Sequence, residues 1–477
     1  MKAPRSVEKI GGTSMSRYEA VRDNIVARPA DPYGRIFVVS AYGGVTDRLL
    51  EAKKTGRPGV YGLFAGARDE GCWREALDGV GELFAEINAR LFAEPGARQR
   101  ADAFIGERLE AARRCLEDLE RVCQHGHFHL GAHLQTVREM LASLGEAHSA
   151  WNLAQLLKSE GYAARLLDLT GWDDGRELDL DERLRGALAE VDCRRELPIA
   201  TGYAHTREGL MATFDRGYSE MTFSRLAVLG GAAEAVIHKE FHLSSADPRL
   251  VGPERAVPIG RTNYDVADQL ANLGMEAIHP KAAKGLRQAG IPLRIRNTFE
   301  PDHEGTLVTR DYASDRPCVE IVAGRRGVYA IECFDQDMLG QLARYDREFL
   351  ALVERFRGEI VTKDVTANSI THYLATNLKT AKRIRAALAE RFPDARLQVR
   401  RVAVVSAIGS DMKVPGLLSQ AVAALAEADI SILAVHQSIR QVDMQFVVDE
   451  GDYEAAIRAL HRRLVEVHDH GRSIRAA

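Results

Sequence analysis

Short runs of β-branched and aliphatic residues alternate with amphipathic stretches through the first two thirds of the chain. Val7–Ile10 and Arg35–Ser40 read as buried strands, the second because Ile36, Phe37, Val38 and Val39 follow one another without a polar break. Each runs into a glycine turn, Gly11-Gly12 and Gly43-Gly44, and then into helical sequence. Further strands are predicted at Ala164–Leu169, Leu197–Thr201, Ala235–His238 and Leu293–Asn297, with helices such as Asp179–Val191 and Pro280–Ala289 between them. This alternation predicts an α/β fold with an open, mostly parallel sheet sandwiched by helices. Residues 71–135 break the rhythm, being rich in Glu, Arg, Ala and Leu, and are expected to form helices laid over the sheet. Phe299–Pro317, with Pro301, Gly305 and Pro317, reads as a linker.

Beyond it the texture changes. Val328–Phe334, Glu359–Val365, Ser369–Thr376 and Arg396–Val405 are strand-like, with helices at Asp337–Phe356 and Leu378–Phe392. The resulting β-α-β-β-α-β series is a ferredoxin-like unit. It restarts with strand Val402–Ile408, helix Pro415–Glu427, strands Ile430–Gln437 and Met444–Val448, and helix Asp452–Val465. The second copy is one strand short, which leaves a hydrogen-bonding edge open. Cys318–Ala323 is a strand without a partner in the first copy, so it is expected to cross over and complete the second.

Composition acts mainly by exclusion. The 477 residues exceed what one core serves, so two or three domains are expected. With 45% hydrophobic and 28% charged residues, neither a disordered nor a disulfide-dense chain is in view. A formal charge of −4 leaves no basic surplus to recommend nucleic acid or an anionic membrane as partner. Six scattered cysteines without a CxxC pair, and a start without an apolar run, predict a cytoplasmic protein with reduced thiols.

The sharpest chemical signal is Lys9-Ile10-Gly11-Gly12-Thr13-Ser14. A strand ending in two glycines brings backbone N–H groups close to an anion, and Lys9 can place an ammonium on a phosphate. Read alone, the segment also fits an ordinary strand-to-helix turn. The second loop, Val39 to Asp47, repeats the geometry, so both loops open on one sheet edge, where ligands of such sheets collect. Ser40 and Thr46 become hydroxyl ligands there, although each alone fits a turn or cap. Glu146 lies in a helix of small residues, where the default is a solvated side chain, and Arg216-Gly217-Tyr218-Ser219-Glu220 suits an anion or a plain surface turn. The tract from Cys123 to His133 crowds histidines without a second spaced pair, so it reads as an exposed helical connection ahead of the alternative, a zinc site.

Taken together and in order, these segments resemble the aspartate kinases of the amino acid kinase superfamily. The matches are Lys9–Ser14, Val38–Thr46, Gly145-Glu146, the altered loop Asp215–Glu220, Ala246–Arg249, His279-Pro280 and Arg294–Phe299. The second half is similar to the family's paired ACT domains. The resemblance implies a catalytic domain at 1–310, one ACT unit at 324–398, and a second, interleaved one at 318–323 and 399–470. It implies transfer of the ATP γ-phosphoryl group to the side-chain carboxylate of L-aspartate, with Mg²⁺. Lys9 and Glu220 are the implied catalytic residues, and Gly11, Gly12, Thr13, Ser14 and Arg249 the nucleotide contacts. Ser40, Thr46, Glu146, Tyr203, Arg216 and Ser219 are the implied substrate contacts, Arg216 taking the α-carboxylate and Glu146 the α-ammonium. A homodimer formed through the ACT domains, open to an amino-acid effector, is expected.

The chain also departs from the family pattern. Glu220 stands where an aspartate is usual; in the segment corresponding to the family's nucleotide contacts, His238 and Lys239 stand where Thr-Asp is usual and Ser244 for a tyrosine; and Glu276 replaces a lysine that would face phosphate. These departures resemble the aspartate kinases devoted to ectoine synthesis. Two other readings stand beside the main one: a catalytically weak amino-acid sensor, and a kinase of another acidic amino acid.

Overall fold

The computed structural model describes residues 3–53, 55–66, 71–275 and 278–466, the side chain of residue 216 excepted. In chain order the strands are β1 (Ser6–Ile10), β2 (Arg35–Val39), β3 (Ala164–Leu167), β4 (Leu197–Thr201), β5 (Glu234–Lys239), β6 (Arg261–Asn263), β7 (Leu293–Asn297) and β8 (Thr306–Thr309). They are followed by β9 (Ile321–Phe334), β10 (Glu359–Val365), β11 (Ser369–Ala375), β12 (Arg396–Ile408), β13 (Ile432–Gln437) and β14 (Asp443–Asp449). The chain divides into two compact units, Met1–His242 with Ile278–Arg310, and Leu243–Ala277 with Asp311–Ala477.

In the first unit the strand order is β3-β4-β2-β1-β5-β7-β8. The first six are mutually parallel, and β8 closes the edge antiparallel to β7. β1, β2 and β4 are buried along their whole length, as strands covered on both faces must be. The strand order switches sides at β1: β2 lies to one side of it, while β5 and β7 lie to the other. Loops leaving β1 and β5 therefore diverge and open a crevice at the carboxyl ends of the strands. The helices Leu180–Ala189, Tyr218–Gly230 and Pro280–Ala289 pack together, the middle one over β1, β2 and β5. Leu134–Ser159 packs on β3 and β4, with Cys72–Leu91 and Pro95–Cys123 stacked against it, as the bias of residues 71–135 predicts. The histidine tract is the exposed connection between Pro95–Cys123 and Leu134–Ser159.

One element corrects the sequence reading here. The linker expected at Phe299–Pro317 contains β8, whose four residues alternate buried and half-buried against β7. A strand this short between prolines carries too little pattern to be seen.

In the second unit one antiparallel sheet has the order β10-β11-β9-β12-β14-β13. Ile321, Val322 and Ala323 pair with Ile408, Ala407 and Ser406, which is the crossover expected for Cys318–Ala323. The two ferredoxin-like sheets are thus one, because β9 and β12 each run through both halves. The sequence reading split each into two strands. In β9 the apolar run is interrupted by Arg325, Arg326 and Gly327, and the structure absorbs the extra residue as a bulge between Val402 and Val404, with Gly327 at φ 70. Leu342–Arg355 and Leu378–Arg391 cover one half around Phe349, Ile370 and Leu388. Leu417–Glu427 and Tyr453–His461 cover the other around Phe446, Leu425 and Leu460. The segment Leu243–Ala277 clusters in this unit: its helix Tyr264–Asn272 lays Val266 and Leu270 on Ile321, Val402 and Val447. Among the described residues no helix is long and apolar enough to cross a membrane. The exit at 467–470 lies outside the described residues.

Candidate active site

β1 carries Lys9 to the crevice at its carboxyl end and then turns at Gly11-Gly12. The Gly11 N–H donates to the His238 carbonyl at 3.1 Å, fixing the loop to β5, and the Gly43 N–H donates to the Gly12 carbonyl at 3.1 Å, joining the two glycine loops. A Cβ on Gly12 would stand 2.5 Å from the Ala41 carbonyl oxygen, so only glycine fits this approach. As the opening residues of a helical turn, Gly12, Thr13 and Ser14 present amides with no intrahelical acceptor.

Strand alternation sends Lys9 and Glu8 to opposite faces. Lys9 is 7% exposed, and its ammonium lies 3.7 Å from Glu220 Oε1. The other Glu220 oxygen accepts the main-chain N–H of His279, the residue that caps Pro280–Ala289. Lys9 and Glu220 thus meet at the carboxyl end of β1, where the glycine loop begins.

Glu146 is not the solvated glutamate that its helix suggests. It is 1% exposed and accepts the Tyr218 hydroxyl at 2.7 Å on Oε1. Oε2 has no hydrogen bond of full geometry among the described residues. Burial pushes its pKa up to about 7, with Tyr218, the Ala41 amide and the Lys9 charge pulling the other way. A buried carboxylate with one open oxygen is poised to take a cation. Gly145 lets the Glu146 helix close on the second loop: a Cβ there would meet the Ala41 Cβ at 2.7 Å. Gly145→Val is expected to cost about 1–3 kcal/mol by overpacking, read as a fall in Tm. Gly202, after β4, is the meeting point, since a Cβ there would touch Ser219 Cβ and Val39 O at 2.8 Å and Glu146 Cγ at 3.4 Å.

The remaining predicted residues differ in where the structure puts them. Ser40 follows β2, half-buried with its carbonyl accepting from the Ser149 hydroxyl, Thr46 is half-buried in the helix Val45–Leu49, and Ser219 is 8% exposed beside Gly202. Ser14 and Tyr203 send their hydroxyls elsewhere, Ser14 to Thr298 at 2.8 Å and Tyr203 to Glu139 at 2.8 Å, while the Thr13 hydroxyl reaches Glu240 at 3.5 Å. Arg249 belongs to the second unit, where its exposed guanidinium is bonded to Asp247. Arg216 lies in the turn Asp215–Gly217; its side chain, like Glu276, is outside the described residues. His238 is placed away from any nucleotide role: it is 4% exposed and bonded to Glu8 at 2.8 Å on the face opposite Lys9.

Two residues unsuspected in the sequence shape the site. Tyr218 holds Glu146. Glu139, 6% exposed, accepts the Tyr203 hydroxyl and the main-chain N–H groups of Met211 and Ala212 at 3.0 and 2.8 Å, anchoring the segment that leads to residue 216. Their partners lie 64 to 73 positions away, and no local pattern announces them. Glu139→Gln is expected to leave the fold intact and raise the KM for the acidic substrate about tenfold, because glutamine keeps one acceptor oxygen: one main-chain N–H bond to that segment becomes neutral and the other is lost. An unchanged KM would make Glu139 structural only.

The comparisons agree with this geometry. Residues 4–297 match the Amino acid kinase family and residues 405–464 an ACT domain. The chain is 57% identical over 475 residues to aspartate kinase Ask_Ect of Stutzerimonas stutzeri (strain A1501), covering 99% of this chain and 100% of that one. It is 25% identical to the chloroplastic aspartokinase 1 of Arabidopsis thaliana, across 97% of this chain and 80% of the relative. In fold it is similar to E. coli aspartokinase III solved with aspartate and ADP, with a TM-score of 0.72 at 21% identity over 96% of this chain and 99% of that one. With a family match over more than half its length and a relative this similar from end to end, the chain belongs to the amino acid kinase family, in its aspartate kinase branch.

Proposed function

We propose that the crevice transfers the γ-phosphoryl group of ATP to the side-chain carboxylate of L-aspartate, giving 4-phospho-L-aspartate. The observation that carries this reading is the pairing of Lys9 with Glu220 where the Gly11-Gly12 loop begins, one helix away from the buried, half-satisfied Glu146. An ionised carboxylate is already a nucleophile at neutral pH, so the protein needs no general base. One carboxylate oxygen forms a bond to the γ-phosphorus as the bond to the β–γ bridging oxygen breaks, and ADP leaves with that electron pair. The work left to the protein is alignment of two anions and neutralisation of charge on the group in transit.

Lys9 and the amides of the glycine loop meet the transferring oxygens. Glu146 takes the α-ammonium of aspartate on Oε2, and Arg216 its α-carboxylate. Glu220 orients Lys9. It would also offer Mg²⁺ on the nucleotide one of the one or two carboxylates such an ion usually takes from protein, and the metal would supply further charge neutralisation.

The second unit's role is regulation by an amino acid bound at the ACT sheet, and the protein's place is ectoine synthesis, a reading that rests on the departures at Glu220, His238, Lys239, Ser244 and Glu276. The turn Gln336–Met338 with exposed Leu339 stands where a glycine-led effector loop is usual, so strong inhibition by lysine is not expected.

Hydroxylamine trapping tests the reaction. With ATP, Mg²⁺ and L-aspartate the full chain should yield aspartyl hydroxamate. Product with another acidic amino acid and none with aspartate would move the specificity. No product from any would leave an ACT sensor.

A further inference from the structure

The sheet face opposite Lys9 is polar where a parallel sheet should be apolar. Central strands of such sheets are covered on both faces, and their side chains are normally aliphatic. Here β1 presents Ser6 and Glu8, β5 presents Glu234 and His238, and β7 presents Arg294 and Arg296 on this side, with Arg35 from β2. The register aligns them in rows: Arg35, Ser6 and Glu234 in one, His238 and Arg296 in another.

Most of these charges consume one another. Arg35 makes a bidentate pair with Glu8 at 2.7 and 2.8 Å, and His238 adds a third bond to the same carboxylate. Although burial works against it, the Arg35 charge and these bonds hold the Glu8 carboxyl far below its ordinary range. Arg294 is bonded to Glu234 at 2.8 Å. Arg296 is left over: its Nε reaches the Glu304 carbonyl at 3.3 Å, and it forms no ion pair among the described residues. Burial, and then the neighbouring Arg294, lower its affinity for its own proton. A half-buried guanidinium beside a second one calls for a negative charge.

Space for that charge exists. A cavity of about 480 Å³ lies over this face, roofed by Asn24, Ile25, Arg28 and Pro29, within the size range of small-ligand sites. Its lining carries five arginines (5, 28, 35, 294 and 296) against two glutamates (8 and 234), a surplus of three positive charges with His238 left out of the count. Among the described residues, Arg28 at the rim is held only by Asp302, whose side chain is 98% exposed. Such a surface pair is worth about 0–1 kcal/mol, so Arg28 is readily redirected inward.

We infer that this cavity binds a small phosphorylated metabolite bearing at least two negative charges, gripped by Arg296, Arg294 and Arg28, at a site separate from the phosphoryl-transfer crevice. Guanidinium forks match phosphate oxygens two at a time, and the volume admits more than one phosphate group. The site stands whether or not the crevice phosphorylates aspartate, because Lys9 lies on the other face.

Isothermal titration of the full chain with pyrophosphate, at fixed ionic strength, tests it. To remove affinity at the crevice, the parent for this titration is Lys9→Ala. Binding should persist in that parent and weaken at least tenfold on adding Arg296→Gln, with Arg296→Lys falling between. In the same Lys9→Ala parent, pyrophosphate should raise Tm and Arg296→Gln should abolish that rise, while in the otherwise unaltered protein Arg296→Gln should leave hydroxamate formation intact. Affinity that is absent in Lys9→Ala, or indifferent to Arg296→Gln, would overturn the site. Citrate binding as tightly as pyrophosphate would overturn the phosphate class.

Discussion

Lys9→Ala should lower turnover by about 10²–10³-fold, the loss seen when one preorganised donor is removed from developing negative charge. The ammonium is fixed before any ligand arrives. β1 is buried along its length, Lys9 is 7% exposed, and Glu220 holds it from 3.7 Å. It therefore costs little reorganisation when charge shifts onto the transferring group. Because that charge peaks in the transition state, the loss should appear in kcat more than in either KM. Lys9→Arg should recover little, since a planar fork cannot take the place of a compact ammonium beside Glu220. Steady-state rates with hydroxylamine trapping read the effect, and far-UV circular dichroism with Tm verifies that the variant is folded. Near-normal turnover of a folded Lys9→Ala at saturating substrates would remove Lys9 from the chemistry.

What the sequence made legible follows the range of the forces involved. Pro280–Ala289 is bounded correctly because its stops are local: His279 caps it, proline opens it, and Gly290 closes it in the left-handed region. The glycine loops were readable for the same reason, since close backbone approach needs glycine at a particular place. The crossover of Ile321–Ala323 was also within reach, because an incomplete sheet and an unpaired strand imply each other.

Long-range pairing was not. Glu146 sits in a helix whose residues are mostly buried, but only the fold shows that Tyr218, 72 positions on, occupies one oxygen and leaves the other open. His238 read as an exchanged nucleotide contact, because its neighbour Lys239 and the family pattern pointed there. Strand alternation and Glu8, 230 positions away, put it on the other face. Tyr264–Asn272 went unremarked because its apolar stripe finds its partners in β9, β12 and β14, far along the chain.

Glu146→Gln should trade binding for stability, and pH should reveal both halves. The Glu146 pKa is raised by burial from 4.5 to about 7 in the folded chain. Between those values the folded protein holds a proton that the unfolded chain has released. The associated stability is complete below pH 4.5 and is lost as pH rises through 7. The difference of about 2.5 units corresponds to a penalty on the order of 3 kcal/mol at pH 8. Glutamine has the same shape, still accepts the Tyr218 hydroxyl, and carries no such penalty. Glu146→Gln should thus match the parent protein near pH 4.5 and exceed it in Tm at pH 8. Aspartate binding should move the other way. Loss of a charge-assisted bond to the α-ammonium should raise the aspartate KM by about 10–100-fold. In the parent protein the same KM should fall as pH rises from 6 to 8, because only the ionised carboxylate takes the ammonium, whereas the variant's should stay level. A parent KM flat across that range, together with a variant less stable at pH 8, would show that Glu146 is charged and satisfied without substrate. It would then have to be struck from the substrate site.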